Sequence, residues 1–128
     1  IELGTYDGCM YNARQVIDRI GYLCDYIFFD SAWVGYEQFI PMMKDASPLL
    51  LELGPDDPGI FVTQSVHKQQ AGFSMTSQIH KKDAHIRGQQ RYVPHKRMNN
   101  AYMMHASTSP FYQLFAALDM NARIHEGE

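Results

Sequence analysis

Two short apolar runs, each stopping abruptly at polar residues, constrain this chain more than any other feature. Tyr26-Ile27-Phe28-Phe29 ends in Asp30-Ser31, and Ile60-Phe61-Val62-Thr63 runs into Gln64-Ser65-Val66-His67-Lys68. Their length and composition fit strands buried on both faces. A helix precedes the first run. Asn12 stands three residues before Gln15 as an N-cap pair, and Val16, Ile17, Ile20, Leu23 and Cys24 follow as one apolar stripe. Gly35 to Met43 reads as turn and loop, and Pro55-Asp56-Asp57-Pro58-Gly59 is a strong turn signal before the second run. A helix followed by two such strands predicts an α/β fold, a mostly parallel sheet flanked by helices.

The second half reads as more helical. Met98, Ala101, Tyr102 and His105 have helical spacing. Ser109-Pro110 predicts an N-cap with Pro at the first helical position, and Phe111, Leu114, Phe115 and Leu118 the buried stripe of the helix it starts. Ser74 to Arg97 reads as an antiparallel strand followed by an exposed loop. Cys9 and Cys24 are too few for a disulfide framework or zinc site; buried thiols in a reducing compartment are expected.

At 128 residues the chain holds one domain at most. No stretch approaches the roughly 18–20 apolar residues of a membrane helix. Charge is uneven, −7 over residues 1–65 and +4 over residues 66–128, with six basic residues between Lys81 and Arg97. Tyr92 is the only aromatic in that tract and the whole chain carries −3, so its electrostatic footprint for nucleic acid is poor. His80, Asp83 and His85 are metal-ligating types, but their spacing suits neither one helix face nor one strand face, and Lys81 and Lys82 would repel a cation. Neither a metal nor a nucleic acid is the expected partner.

Chemistry is better placed at the strand ends, because open α/β sheets gather ligands outside the carboxyl ends of their strands. Asp30-Ser31-Ala32-Trp33 follows one strand and Ser65-Val66-His67-Lys68 the other. If the strands are neighbours, an acid, a hydroxyl, an imidazole and an amine surround one crevice. A lysine and a carboxylate so placed suit pyridoxal phosphate (PLP): the amine takes the aldehyde and the acid pairs with the protonated ring nitrogen. A lone strand-end Asp is more often a cap, and a lone Lys more often solvated.

Longer tracts carry more information. The stretch from Phe29 to Phe39, containing Asp30-Ser31-Ala32-Trp33-Val34-Gly35-Tyr36-Glu37-Gln38, and the stretch from Thr63 to Ser74, containing His67-Lys68-Gln69-Gln70, resemble the bacterial ornithine/lysine/arginine decarboxylases. The ornithine branch is the most similar. The likeness continues through Ala106-Ser107-Thr108-Ser109-Pro110-Phe111-Tyr112 to Ile124-His125-Glu126-Gly127. It implies the aspartate-aminotransferase (fold type I) architecture, PLP as cofactor, and a cytoplasmic homodimer or assembly of dimers. The implied reaction converts ornithine to putrescine and CO₂, in polyamine biosynthesis, with lysine or arginine as the alternative substrate.

By the same resemblance Lys68 is the Schiff-base lysine, Asp30 binds the pyridine nitrogen, Ala32 packs on the ring, and Trp33 lies beside the phenolic oxygen. Ser65 and His67 help hold the phosphate, while Ser107 and Thr108 reach the phosphate of a partner subunit. Met75 and Gln113 depart from the family pattern, where Gln and Pro are expected. Residues 1–128 then correspond to the C-terminal part of the PLP-binding large domain. The upstream phosphate loop and ring-stacking side chain, and the small C-terminal domain, are expected outside it. An isolated chain of this extent is expected to be poorly stable and inactive, and a non-catalytic remnant is the alternative reading.

Overall fold

The computed structural model describes residues 1–127; Glu128, the last residue of the closing Glu126-Gly127-Glu128 stretch, lies outside them. Helix α1 (Ala13–Ile20) starts where the sequence predicts, because the Asn12 side chain accepts the Gln15 backbone N–H at 3.0 Å. Ala13 and Ile17, one turn apart, are its buried residues. The predicted stripe is cut short: a 3-10 turn (Gly21–Leu23) replaces the last helical turn, and Ile20 and Leu23 are exposed.

Strand β1 (Tyr26–Asp30) pairs in parallel with β2 (Gly59–Ser65), placing Phe28 opposite Phe61 and Asp30 opposite Thr63. On its other side β1 meets the chain start, where Leu3 N–H donates to Asp30 O and Asp30 N–H to Ile1 O, both at 2.8 Å. After β2 comes the single-turn helix α2 (Val66–Gln69), and then β3 (Ser77–Lys82) runs antiparallel to β2 with Ser65 opposite Ser77. The sheet is therefore small and mixed, in the order β1-β2-β3, rather than mostly parallel.

Ile27, Phe29, Ile60 and Val62 point to one face and form the core with Leu3, Ala13, Ile17, Val34 and Leu51. The alternate residues do not follow the expectation of strands buried on both sides. Phe28 is 46% exposed, and it and Tyr26 stack on Phe61, which is only half-buried. Period-2 alternation sends these side chains to the opposite face, which the described residues cover only at its Tyr26 end, where Asp83 and the Val93 N–H meet the phenol.

Helices α3 (His95–His105) and α4 (Tyr112–Glu126) complete the chain. Helix α4 begins two residues after Pro110, with Phe111 at the cap position and no side-chain cap, so the Ser109-Pro110 start is corrected. Its expected stripe is corrected too. Phe111 and Phe115 are exposed and Leu114 and Leu118 half-buried, whereas Ala117 and Asn121 are buried. The apolar residues face outward because nothing among the described residues packs against them. Cys9 is exposed and Cys24 half-buried, not the buried pair expected. No helix is long and apolar enough to cross a membrane among the described residues.

Candidate functional site

The open face of the sheet ends in a polar patch. Asp30, Thr63 and Ser65 alternate onto it from β1 and β2, and Ser77 and Ile79 join from β3 through their pairing with Ser65 and Thr63. These side chains, with Ala32 and Tyr102, line a cleft of about 440 Å³. Asp30 is exposed at its edge, and its Oδ1 accepts the Ala32 N–H at 2.9 Å, holding a tight turn. The ladder continues one residue past β1, where Ser31 N–H donates to Thr63 O at 2.8 Å. That bond ties the Asp30 turn to the end of β2.

Lys68 rises from α2 and meets the Trp33 ring that follows this turn. Its Nζ lies 4.2 Å from the centroid of the Trp33 ring, whose edge packs against Tyr6 at 5.4 Å. No carboxylate among the described residues pairs with Lys68. Beside it His67 is held twice by one acceptor: its backbone N–H and its ring Nδ1 reach Thr76 O at 3.2 and 2.9 Å. A carbonyl only accepts, so Nδ1 carries the proton and Nε2 is the edge left for other partners.

Asp30, Ala32 and Ser65 thus share one cleft, while Trp33 and Lys68 touch each other and do not line it. Ser107 and Thr108 are exposed on the α3–α4 connection and line a neighbouring groove of about 550 Å³, which shares Ser77 and Tyr102 with the cleft. Met75 lines that groove as well, 78% exposed and with φ at +69°. Gln113 is exposed near the start of α4.

Gln64 and Gln78, which also line the cleft, belong to a polar cluster that sequence reasoning did not assemble. Gln64, on the core face of β2, accepts Gln78 Nε2 at 2.8 Å and His80 Nε2–H at 3.1 Å through its Oε1. Burial pushes the His80 imidazole below its ordinary pKa. Glu37 is fully buried and accepts the Gly35 N–H, and burial raises its carboxyl above the usual range. Gly35 has φ of +114°, and a Cβ there would stand 2.3 Å from Gln70 Nε2, so only glycine fits. The signal available in sequence was Gly35 itself, between Trp33 and Glu37.

The three side chains of the His-x-x-Asp-x-His stretch go separate ways. His80 reaches Gln64, His85 reaches Pro58 O at 3.1 Å, and Asp83 accepts from Tyr26 and pairs with Lys81. Burial and the neighbouring Asp83 push the Tyr26 phenol up to about 12. Part of the basic tract is likewise engaged internally: Lys82 donates to Leu49 O and Arg91 to Pro55 O and Asp57 O.

The family model described as "Orn/Lys/Arg decarboxylase, major domain" matches residues 1–128. The chain belongs to the Orn/Lys/Arg decarboxylase family. Among its relatives there, the inducible ornithine decarboxylase of Escherichia coli is 82% identical over 99% of this chain and 17% of that protein. The ornithine decarboxylase of Haemophilus influenzae is 79% identical over 100% of this chain and 18% of its own length. The biodegradative arginine decarboxylase of E. coli is only 38% identical, over 96% of the chain and 16% of that protein. Lysine decarboxylase A from Pseudomonas aeruginosa has a matching structure, with a TM-score of 0.88 at 35% identity over 98% of this chain and 16% of that one. The chain therefore spans less than a fifth of the length of the curated family members it matches.

Proposed function

We propose that this chain supplies the lysine and the ring-binding acid of a PLP-dependent ornithine decarboxylase, as the C-terminal part of the large domain of a longer polypeptide. The observation that carries the reading is the gap in identity: 82% and 79% to ornithine decarboxylases against 38% to an arginine enzyme, over the same residues. Substrate preference between ornithine, lysine and arginine divides along that gap.

The geometry is compatible with the cofactor. Among the described residues Asp30 has no ion-pair partner, and its carboxylate stands at a sheet end lining an open cleft. Among the described residues no acid neutralises the Lys68 amine, which packs on the Trp33 ring after the turn that Asp30 begins. In this reading Lys68 is the attachment amine, Asp30 pairs with the ring nitrogen, and Ala32 and Trp33 border the ring. Ser65 donates to the phosphate, and His67 offers it Nε2, because Nδ1–H is spent on Thr76. Ser107 and Thr108, in the adjoining groove, serve the phosphate of a second subunit, which makes the working unit a fold-type-I homodimer.

PLP, when bound, supplies an electron sink for the pair left on the substrate's α-carbon as CO₂ departs. The chain's own part is to hold that sink in its active state. Asp30 keeps a proton on the ring nitrogen by pairing with it. Lys68, seated beside Trp33, would hold the cofactor aldehyde through its amine. Two unpaired thiols, Cys9 and Cys24, are compatible with a reducing, cytoplasmic setting.

Borohydride reduction of the full-length protein followed by peptide mass mapping tests the assignment. The label is expected on Lys68, with turnover of ornithine well above that of lysine and arginine. Label on another lysine, or preferred turnover of arginine, contradicts the reading.

A further inference from the structure

We propose that Asn121 is a positioning residue for Lys68, clamping the turn that carries the lysine; the inference rests on the role of Lys68 given above. A single helical turn such as α2 does not hold itself together, because nucleating a helix costs more than its first hydrogen bond returns. Past its end, α2 is closed by a long backbone hydrogen bond of 3.3 Å, from Gly72 N–H to Val66 O. Its ordering must come from outside.

Two external anchors supply it. On one side Thr76 O takes both N–H groups of His67. On the other, Asn121 from α4 grips the two residues that follow the turn. Its Oδ1 accepts the Ala71 N–H at 2.9 Å, and its Nδ2 donates to Gln70 Oε1 at 2.9 Å. Asn121 is 5% exposed in a helix whose apolar residues mostly face outward, so an amide has taken the position a core side chain would fill. A buried asparagine with two satisfied bonds to one short segment specifies that segment's place.

The clamp extends to the other half of the site. The Gln70 amide packs against Gly35, whose N–H is held by Glu37, on the loop that carries Trp33. One turn further along α4, His125 stacks flat on Phe39 at 4.0 Å, beyond that same loop. Ala117, Asn121 and His125 recur every four residues, so one stripe of α4 touches both segments that hold Lys68 against Trp33.

The test uses the full-length protein as wild type, Asn121→Leu, Asn121→Asp and Gln70→Met. A lysine displaced by about 1 Å loses on the order of 100-fold in rate. Asn121→Leu is therefore expected to slow both kcat and reattachment of PLP to Lys68 about 100-fold, with KM within about threefold. Its Ala71 amide should exchange rapidly in the cofactor-free protein while β2 and β3 amides keep their protection. Asn121→Asp, which still accepts from Ala71 and meets a rotated Gln70 amide, should recover to within about tenfold. Wild-type attachment and kcat in a folded Asn121→Leu protein overturn the clamp, as does a uniform loss of protection across the sheet. If Asn121→Leu does not fold, Gln70→Met decides: a loss of about tenfold supports the clamp and wild-type rates overturn it. Wild-type protein labelled at a lysine other than Lys68 overturns the functional reading and the clamp together, whereas labelling at Lys68 with unaffected variants overturns the clamp alone.

Discussion

The two faces of the β1–β2 pair are built from alternate residues of the same strands and do opposite work. Ile27, Phe29, Ile60 and Val62 are at most 3% exposed and sit in the core beneath α1. Phe28, Asp30, Phe61, Thr63 and Ser65 project the other way, and toward the carboxyl ends this second face turns polar and opens into a cleft. One residue of register separates a side chain that stabilises the fold from one that lines the cleft. Substitutions on the core face should therefore cost stability and spare chemistry, and those at the cleft should do the reverse.

The largest effect is expected at the cleft. Lys68→Ala in the full-length protein should abolish borohydride-trapped cofactor and turnover while leaving the thermal midpoint nearly unchanged, since among the described residues its amine meets the Trp33 ring and forms no ion pair. Retained turnover would break the comparison at once. On the core side, Phe29→Ala should cost about 3–5 kcal/mol in denaturant unfolding, the range for deleting a buried aromatic. Phe28→Ala, one residue earlier on the open face, should cost less than about 1 kcal/mol; equal losses would mean that the open face is covered.

Asp30→Asn is isosteric and exposed, so stability should hold while kcat falls about 10²–10³-fold, as when one preorganised electrostatic group is lost. Gly35→Ala should cost about 1–3 kcal/mol, combining positive-φ strain with the collision against Gln70. The smallest effect is the pH dependence of Glu37. Its carboxyl is raised in the fold by burial, so the native state binds the proton more tightly than the unfolded chain. Stability contributed by that proton is complete below about pH 4.5 and is lost as pH rises through the higher folded value. Glu37→Gln, which still accepts the Gly35 N–H, should remove this decline; a decline that persists in the variant assigns it to another group.

Much of the core-face story was legible in the sequence because its signals are local. The Asn12 cap needs three residues, and the two apolar runs and their polar ends need about ten. The antiparallel strand after Ser74 was legible for the same reason. Burial was not, since it depends on what packs opposite. The strands carry aromatics on both faces, yet only one face is fully covered among the described residues, and α4 turns Phe111 and Phe115 outward while burying Asn121. Asp30 and Lys68 stood out through their neighbours in sequence. Gln64, Gln70 and Asn121 did not, because an amide announces its role only when a fold brings its partners from 14 to 51 residues away.

The central claim is that Asp30 and Lys68 grip opposite sides of one aromatic ring. An experimental structure of the full-length protein with PLP tests it most directly. The account predicts density continuous from Lys68 Nζ to the cofactor, with an Asp30 carboxylate oxygen about 2.7–2.9 Å from the ring nitrogen. A ring bound elsewhere, or one held by Lys68 with Asp30 turned away and beyond reach of its nitrogen, would contradict it.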